Sequence, residues 1–393
     1  MHDWHPAEHS SPLPSNPSAG CFFATPTRKT SHATQKASCC VPLYPLAPNE
    51  SGRSHPLHSY GYYAVESSVQ RPPTGRVSGW GDGKHDRRQF CRQKPCLLTT
   101  LAASLQVPHL NGYRRILDEP EASNEFDMAA MFGTGLVEAL EPPREDRLWS
   151  ENVEEFYYSA DAAIKGSAPC IYGLDSMDSL ESLASAALFE KNRAKVARGN
   201  APDASYGDGK AKINSENLRK LCRGLKSSGS FLYIVSQTRD NIGIGFAPKT
   251  RAGGRALKFY ATYEIWLAVE KAIKREVRGK PRLVGQRIKL KLSKNKATGT
   301  YDIVSFPIRY GYGIDDTMSC IDYLLEEGEW KTTGGVVRAK GILPQEEKGL
   351  CREDLAGYLE NEGKLESLQN LVGTVWHSIK GVMLETGRRG RFS

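Results

Sequence analysis

The pattern of hydrophobic and polar positions changes near residue 96. Before that point no sustained period of 2 or 3.6 specifies a strand or a helix, and Pro, His, Ser and Arg are mixed through the stretch. Eight of the nine His and 13 of the 22 Pro lie before Leu110. We therefore predict that residues 1–95 are a disordered extension, or a non-native one produced by a shifted reading frame or a misassigned start.

From residue 97 onward, apolar runs alternate with stretches of helical period. Strands are predicted at 114–118, 170–174, 231–235, 256–269, 286–292 and 301–309. Helices are predicted at 97–105, 126–132, 153–165, 180–198, 215–226, 317–325, 353–359 and 365–379. Uniformly apolar strands separated by helices predict an α/β fold with a mostly parallel sheet flanked by helices, whose ligand site lies at the carboxyl ends of the strands. We assign this core to residues 96–335 and a small helical region with a basic tail to 336–393.

Charge is unevenly distributed along the chain. The formal net charge is +8, yet the segment 118–181 holds 16 acidic and 3 basic residues, whereas 239–296 holds 16 basic and 4 acidic residues. A solvated surface explains many charge runs, but a positive segment this dense also fits a polyanionic partner. Nucleic acid is therefore the first partner to consider.

Cysteine spacing gives no sign of a zinc site, and hydropathy gives no sign of a membrane span. The nine Cys form no CxxC pair and no Cys/His set with zinc spacing, so we interpret them as reduced thiols. No apolar stretch approaches the ~20 residues that cross a bilayer, and the first residues lack a signal-peptide pattern. We expect a cytoplasmic protein that does not span a membrane.

Three predicted strands end in polar residues: Asp118, Asp175 and Gln237. An apolar strand that delivers Asp175, followed by Ser176, is what nucleotide hydrolases use to hold Mg²⁺ through its water shell. Gln237 at the end of the next strand is placed to contact a phosphate. Each of these residues alone is a weak signal, since many strands end in a polar turn residue, but the three together favour a nucleotide site.

A basic, glycine-containing loop follows Gln237. Its cations lie among glycines that let the backbone adapt, and Ile and Phe side chains are available to stack on bases. This combination suits single-stranded nucleic acid, which is bound through backbone charge and base stacking. The predicted nucleic-acid contacts are Arg239, Lys249, Arg251, Gly253, Gly254, Arg255 and Lys258. A second basic segment, with Lys195, Arg198, Lys210 and Lys212, is either another nucleic-acid contact or a solvated surface.

These motifs resemble the RecA recombinase family. The run Ser236-Gln237-Thr238-Arg239-Asp240-Asn241-Ile242-Gly243, followed by Gly253-Gly254-Arg255-Ala256-Leu257-Lys258-Phe259-Tyr260-Ala261, is similar to the family's strand, DNA-binding loop and following strand. Ile171-Tyr172-Gly173-Leu174-Asp175 is similar to its Walker B strand, and Lys294-Asn295-Lys296 to its Lys-Asn-Lys turn. The motifs occur in family order over about residues 97–330, and 113–127 with 156–158 resemble the phage and prophage branch.

The resemblance implies roles for individual residues. Asp175 would hold Mg²⁺ with Ser176 beside it, and Gln237 would contact the γ-phosphate of ATP and report it to the loop. Glu121 would polarise the attacking water, with Glu119 as the alternative. Lys294 and Lys296 would reach the nucleotide of a neighbouring subunit, so that hydrolysis depends on a head-to-tail helical filament.

The Walker A loop of the family is not recognisable in this sequence. Where it is expected, Leu97 and Leu98 stand in place of Gly-Lys, although Thr99 and Thr100 fit as nucleotide ligands and Thr99 as a Mg²⁺ ligand. The Gly81-Asp82-Gly83-Lys84 stretch lacks the required spacing. ATP and Mg²⁺ binding are therefore both in doubt from the sequence. Because no supporting strand is evident before residue 97, damage to an intact recombinase is favoured over adaptation.

The function implied by the resemblance is homologous DNA recombination and repair. It comprises ATP-linked filament assembly on single-stranded DNA and strand exchange with double-stranded DNA, in a bacterial cell and encoded by a phage or prophage. The alternative is a catalytically inactive single-stranded-DNA-binding paralogue, or a truncated recombinase without ATP hydrolysis. A helicase with the same fold is disfavoured by the Gly-Gly-x-Ala-Leu-Lys-Phe-Tyr-Ala run.

Overall fold

A computed structural model describes most of the chain after residue 92. It covers residues 63–67, 93–122, 127–203, 209–239, 250–251, 255–299, 301–344 and 349–383, with 63–67, 238–239 and 250–251 described by their backbone alone. Most of the predicted N-terminal extension and the basic tail at 384–393 lie outside the described residues. The same holds for three of the predicted nucleic-acid contacts, Lys249, Gly253 and Gly254.

Strands and helices are interspersed in the described chain up to residue 260, and four successive strands then follow before the next helix. The helices are α1 (Gln93–Ser104), α2 (Met128–Phe132), α3 (Thr134–Ala139), α4 (Val153–Ile164), α5 (Leu183–Ala197), α6 (Lys210–Ser228), α7 (Arg255–Tyr260), α8 (Asp316–Glu326), α9 (Arg352–Asn361) and α10 (Leu365–Met383). The strands are β1 (Tyr63–Ser67), β2 (Arg114–Asp118), β3 (Leu140–Glu141), β4 (Cys170–Leu174), β5 (Phe231–Arg239), β6 (Thr250–Arg251), β7 (Tyr263–Val277), β8 (Lys280–Asn295), β9 (Ile303–Arg309), β10 (Gly313–Ile314), β11 (Lys331–Thr333) and β12 (Val336–Arg338).

The main sheet has the strand order β10-β9-β8-β7-β1-β5-β4-β2-β3, and β6 pairs with the end of β5. The strands from β7 to β3 in this order pair in parallel, whereas β7, β8, β9 and β10 pair antiparallel. The predicted α/β fold with a mostly parallel sheet is confirmed for the core. Because parallel strands place their carboxyl ends at one edge, β2, β4 and β5 deliver their last residues to the same edge.

The strand β1 corrects the expectation that residues 1–95 contain no regular structure. Tyr63–Ser67 pairs in parallel with β5 on one side and with β7 on the other, and so fills the middle of the sheet. Five residues are too few to establish a period in a stretch rich in Pro and Ser, so the local pattern carried no signal for this strand. The expectation that the core lacks a supporting strand before α1 is therefore wrong.

The predicted strand at 256–269 is wrong in its first part. Its first residues form the helix α7, and the strand β7 starts only at Tyr263. Leu257 and Ala261, four residues apart, are both buried, while Phe259 between them is 71% exposed. This spacing is the helical period, which a run of apolar residues conceals when it is interpreted as a buried strand.

Two hydrophobic clusters cover the two faces of the sheet. On one face, Ile116 of β2 and Tyr172 of β4 pack with α4, α6 and α7. On the other face, their chain neighbours Leu117 and Ile171 pack with Leu97 of α1 and with other apolar residues. Successive strand residues point to opposite faces, so uniformly apolar strands serve both clusters at once.

A third cluster joins α8 to the C-terminal residues. Trp330, Val337, Leu355 and Leu359 are buried in it together with Leu368 of α10. The region from residue 336 onward includes α9 and α10, as expected, but β12 at its start pairs with β11, so the proposed boundary falls within a β-hairpin. The hairpin and both helices therefore pack around α8 rather than forming a core of their own.

Candidate functional site

Asp118 at the end of β2 is a structural residue. Its carboxylate is fully buried and accepts hydrogen bonds from the Ser150 amide (2.9 Å), the Ser150 hydroxyl (2.6 Å) and the Tyr172 hydroxyl (2.8 Å). Burial raises the pKa of this carboxyl, and the hydrogen bonds from Ser150 partly oppose that shift. With these donors the Asp118 carboxylate ties β2 to Ser150, just before α4, and to Tyr172 of β4.

Asp175 at the end of β4 lies in a buried charged cluster. Lys94 in the first turn of α1 forms an ion pair with Glu119, and its Nζ lies 3.5 Å from Asp175 Oδ2. All three residues are at most 2% exposed. The pKa of Asp175 is raised to about 6, chiefly by burial; the charge of Lys94 opposes this shift, and the neighbouring Glu121 and Glu119 add to it.

Lys94 is a functional candidate that the sequence pattern missed. The phosphate-binding motif has glycines before the lysine and Ser or Thr after it, whereas here Pro95 follows. Pro is compatible with the first turn of a helix, so α1 still presents the lysine at its start. Leu97 and Leu98, the residues assigned to the Gly-Lys position by sequence, are instead fully buried in the core.

Thr99 and Thr100 lie further along α1 than Lys94. Thr99 is 7% exposed, and the Thr100 hydroxyl donates a hydrogen bond to the Cys96 carbonyl of the same helix at 2.8 Å. Their role as nucleotide or Mg²⁺ ligands stays a prediction. The ammonium that α1 brings to the buried carboxylates belongs to Lys94.

Glu121 and Gln237 meet at the rim of the cluster. Glu121 Oε1 accepts hydrogen bonds from the hydroxyls of Ser176 (3.1 Å) and Ser179 (2.9 Å), and from Gln237 Nε2 at 3.4 Å. The backbone amide of Gln237 donates a hydrogen bond to Asp178 Oδ2 at 2.5 Å. Three of the predicted residues, Glu121, Ser176 and Gln237, therefore lie together beside Asp175.

The two carboxylates proposed for the water-polarising role occupy different environments. Glu119 is buried and paired with Lys94, whereas Glu121 is exposed and contacts Gln237. A carboxylate paired with a buried ammonium is held as an acceptor for that cation, while one at the rim is open to solvent. The geometry favours Glu121 for contact with water, and the assignment stays a prediction.

The basic loop follows β5 in the chain. Beyond Gln237 the strand continues to Arg239, and the backbone of 238–239 pairs antiparallel with that of Thr250–Arg251. The two ends of the loop are thus held side by side next to the cluster. Arg255 and Lys258 follow on α7 and are exposed, as contacts with a polyanion require.

Lys294 and Lys296 contact the carbonyl end of α7. Lys294 Nζ donates hydrogen bonds to the carbonyls of Lys258 and Phe259, and Lys296 Nζ donates to those of Phe259 and Tyr260. These are contacts within one chain. The contact with a neighbouring subunit that the resemblance implies stays a prediction.

The second basic segment is only partly available to a polyanion. Lys195 pairs with Asp203 at 2.5 Å, and Lys210 is 7% exposed with its Nζ 3.5 Å from the Asp178 carbonyl. Arg198 and Lys212 are exposed. Lys210 is therefore held against the backbone of Asp178 rather than open to solvent.

A protein-family model matches part of the region described above. The model of the RecA N-terminal domain matches residues 176–315. The matched segment begins directly after Asp175 and includes Gln237, α7 and Lys294. Over these residues the chain is similar to the RecA N-terminal domain. The matched segment thus contains Ser176 and Gln237, which contact Glu121, and both ends of the basic loop from Arg239 to Thr250–Arg251.

Individual RecA proteins show the same relationship. The chain is 29% identical to Protein RecA of Tropheryma whipplei over 164 residues, which is 41% of this chain and 36% of that protein. It is 33% identical to Protein RecA of Corynebacterium jeikeium over 169 residues (42% and 44%), and 33% identical to that of Chlorobaculum tepidum over 163 residues (41% and 44%). The chain therefore spans less than half the length of these RecA proteins.

Two other kinds of feature are absent from the described residues. Within them, no group of three or more His, Cys, Asp or Glu side chains is arranged to hold a metal ion. No helix in the same part of the chain is long and apolar enough to span a membrane.

Proposed function

We propose that this chain acts as a RecA-like protein in homologous DNA recombination and repair, through ATP-linked filament assembly on single-stranded DNA and strand exchange with double-stranded DNA. One observation carries the proposal. The buried Lys94 and Asp175 lie next to Gln237, which is on the same strand as the first residue of the basic loop. A candidate phosphate-binding site and a candidate nucleic-acid-binding loop joined by one strand support an activity that couples nucleotide to DNA.

The charged cluster is compatible with ATP and Mg²⁺. Mg²⁺ is commonly bound by one or two carboxylates together with phosphate oxygens and water, so Asp175 would hold it without a larger set of protein ligands. Lys94 would face the phosphates from the start of α1, where backbone amides also favour anions. When bound, the metal ion would neutralise charge on the phosphates.

The rim residues would connect nucleotide to DNA. Glu121 would orient a water molecule, and Gln237 would respond to the γ-phosphate through its contact with Glu121. A shift of Gln237 would move β5, whose end holds one side of the basic loop. Lys294 and Lys296 of a neighbouring subunit would complete the site in a helical filament.

The second candidate function is single-stranded-DNA binding without ATP hydrolysis, by an inactive paralogue or a truncated recombinase. One observation favours it. Pro95 follows Lys94, where the phosphate-binding motif needs the hydroxyl of Ser or Thr to bind Mg²⁺. Under either function we expect the protein to act in the cytoplasm of a bacterium and to be encoded by a phage or prophage.

Nucleotide-dependent DNA binding tests the proposal. Anisotropy of a fluorescent single-stranded oligonucleotide is measured with the full chain, with and without a non-hydrolysable ATP analogue and Mg²⁺. We expect tighter binding with the analogue, and no such effect in Asp175→Asn. Asp161→Asn, which neutralises a half-exposed carboxylate outside the site, is the matched control. A DNA affinity that the analogue does not change would support the second candidate function. Absence of DNA binding would contradict both candidate functions.

A further inference from the structure

The carbonyl end of α7 is held by two lysines from a different element. Lys294 Nζ donates to the carbonyls of Lys258 and Phe259, the latter at 3.0 Å. Lys296 Nζ donates to the carbonyls of Phe259 at 3.1 Å and Tyr260 at 3.5 Å. The last carbonyls of a helix have no partner within the helix, and positive charge is favourable at this end.

The helix α7 depends on contacts outside itself. It has six residues, and isolated helices of that length are not stable in water. Leu257 is its one buried side chain, whereas Phe259 is 71% exposed. Ala256 and Tyr260 are partly buried against the same cluster as Leu257, and the contacts from Lys294 and Lys296 add to this packing at the carbonyl end of α7.

The residues that α7 presents to solvent are mainly cationic. Arg255 and Lys258 are exposed, and Lys258 contributes its backbone carbonyl to Lys294 while its side chain remains exposed. The Lys296 amide also donates to the Thr262 carbonyl at 3.0 Å, which fixes the turn after β8 against the chain that leaves α7. The turn thus fixes the backbone that carries two predicted nucleic-acid contacts.

We infer that Lys294 and Lys296 are positioning residues that hold α7 within their own subunit, so that Arg255 and Lys258 face the phosphates of single-stranded DNA. The DNA part of this inference rests on the proposed function. The role differs from contact with a neighbouring subunit's nucleotide, because it operates in a single chain without nucleotide.

Amide hydrogen exchange of the free protein tests the first part. In Lys294→Met/Lys296→Met, we expect the Ala261 amide, which donates to the Leu257 carbonyl, to exchange roughly tenfold faster, because two charge contacts at a helix end are lost. Lys294→Arg/Lys296→Arg should restore protection. Lys331→Met/Lys340→Met, which removes the same charge from the C-terminal region, should leave it unchanged. Unchanged exchange in the Lys294→Met/Lys296→Met variant would overturn the inference.

A double-mutant cycle tests the second part. If the two lysines act through Lys258, the roughly tenfold loss of DNA affinity expected for Lys294→Met/Lys296→Met and the loss caused by Lys258→Met will not add. Additive losses would show that the lysines contact DNA independently of α7 and would overturn the inference. If the wild-type chain binds no DNA, the proposed function fails, while hydrogen exchange still decides whether the lysines hold α7.

Discussion

Lys94 Nζ and Asp175 Oδ2 lie 3.5 Å apart, with 3% of each side chain exposed. The contact joins the start of α1 to the end of β4. Close packing maintains it, because a Cβ at Gly173 would lie 2.6 Å from Leu97 Cδ1. Lys94, which no sequence motif reveals, therefore lies beside Asp175, which the resemblance to the Walker B strand does reveal.

Removing the lysine should destabilise the fold. Lys94→Met leaves Glu119 and Asp175 buried without a cation, and loss of one partner of a buried ion pair costs about 3–5 kcal/mol. Chemical denaturation monitored by circular dichroism measures the change. Lys94→Met/Glu119→Gln should recover part of the loss, since it removes one of the uncompensated charges; equal stability of wild type and Lys94→Met would show that the lysine is not buried against the carboxylates.

The hydrogen bonds to Asp118 make a separate stability prediction. Tyr172→Phe removes a hydrogen bond to a buried carboxylate, and such bonds contribute about 1.5–3 kcal/mol. Tyr158→Phe is the control, because Tyr158 is 68% exposed and should change the free energy of unfolding little. The same denaturation experiment applies, and an equally small effect for both variants would contradict the described network.

The close approach of Gly173 to Leu97 predicts the effect of one methyl group. Gly173→Ala should cost about 1–3 kcal/mol, because overpacking forces neighbouring atoms to shift. Gly357→Ala in α9 is the control, since no atom lies within 4 Å of its added Cβ and alanine favours a helix. A thermal melt should therefore move down for the first variant and up for the second; a shift in the same direction for both would argue against the contact.

The basic loop predicts a change in salt dependence. Arg251→Ala/Arg255→Ala should weaken single-strand binding and reduce the slope of log affinity against log salt by about 0.7 for each lost phosphate contact. Anisotropy titrations at several salt concentrations give the slope. Lys331→Met/Lys340→Met serves as the control for net charge. If the arginine substitutions leave the slope unchanged, these two arginines do not contact the phosphates of the DNA.

The strands of the core could be predicted well because uniformly apolar runs with polar ends have few alternative interpretations. The bounds of β2 and β4 agree with the prediction. Of the three strand-end residues expected together, Asp118 is bound by Ser150 and Tyr172, whereas Gln237 contacts Glu121, whose charge acts on Asp175. In contrast, β1 is paired through its backbone between two distant strands, a relationship that a local pattern does not record.

Lys94 and α7 were missed for a different physical reason. The role of Lys94 depends on how α1 packs over β4, and Pro95 breaks the motif that usually reveals such a lysine. In α7, apolar residues lie on both the buried and the exposed sides of the helix, so the composition resembles a buried strand. In both cases tertiary packing, rather than local sequence, determines the outcome.

ATP hydrolysis by the purified full chain, with and without single-stranded DNA, tests the central claim most directly. We predict Mg²⁺-dependent turnover that DNA stimulates and that Asp175→Asn abolishes while the fold is retained. Absence of turnover in a chain that still binds single-stranded DNA would contradict the catalytic proposal and leave the non-hydrolysing DNA-binding protein as the function.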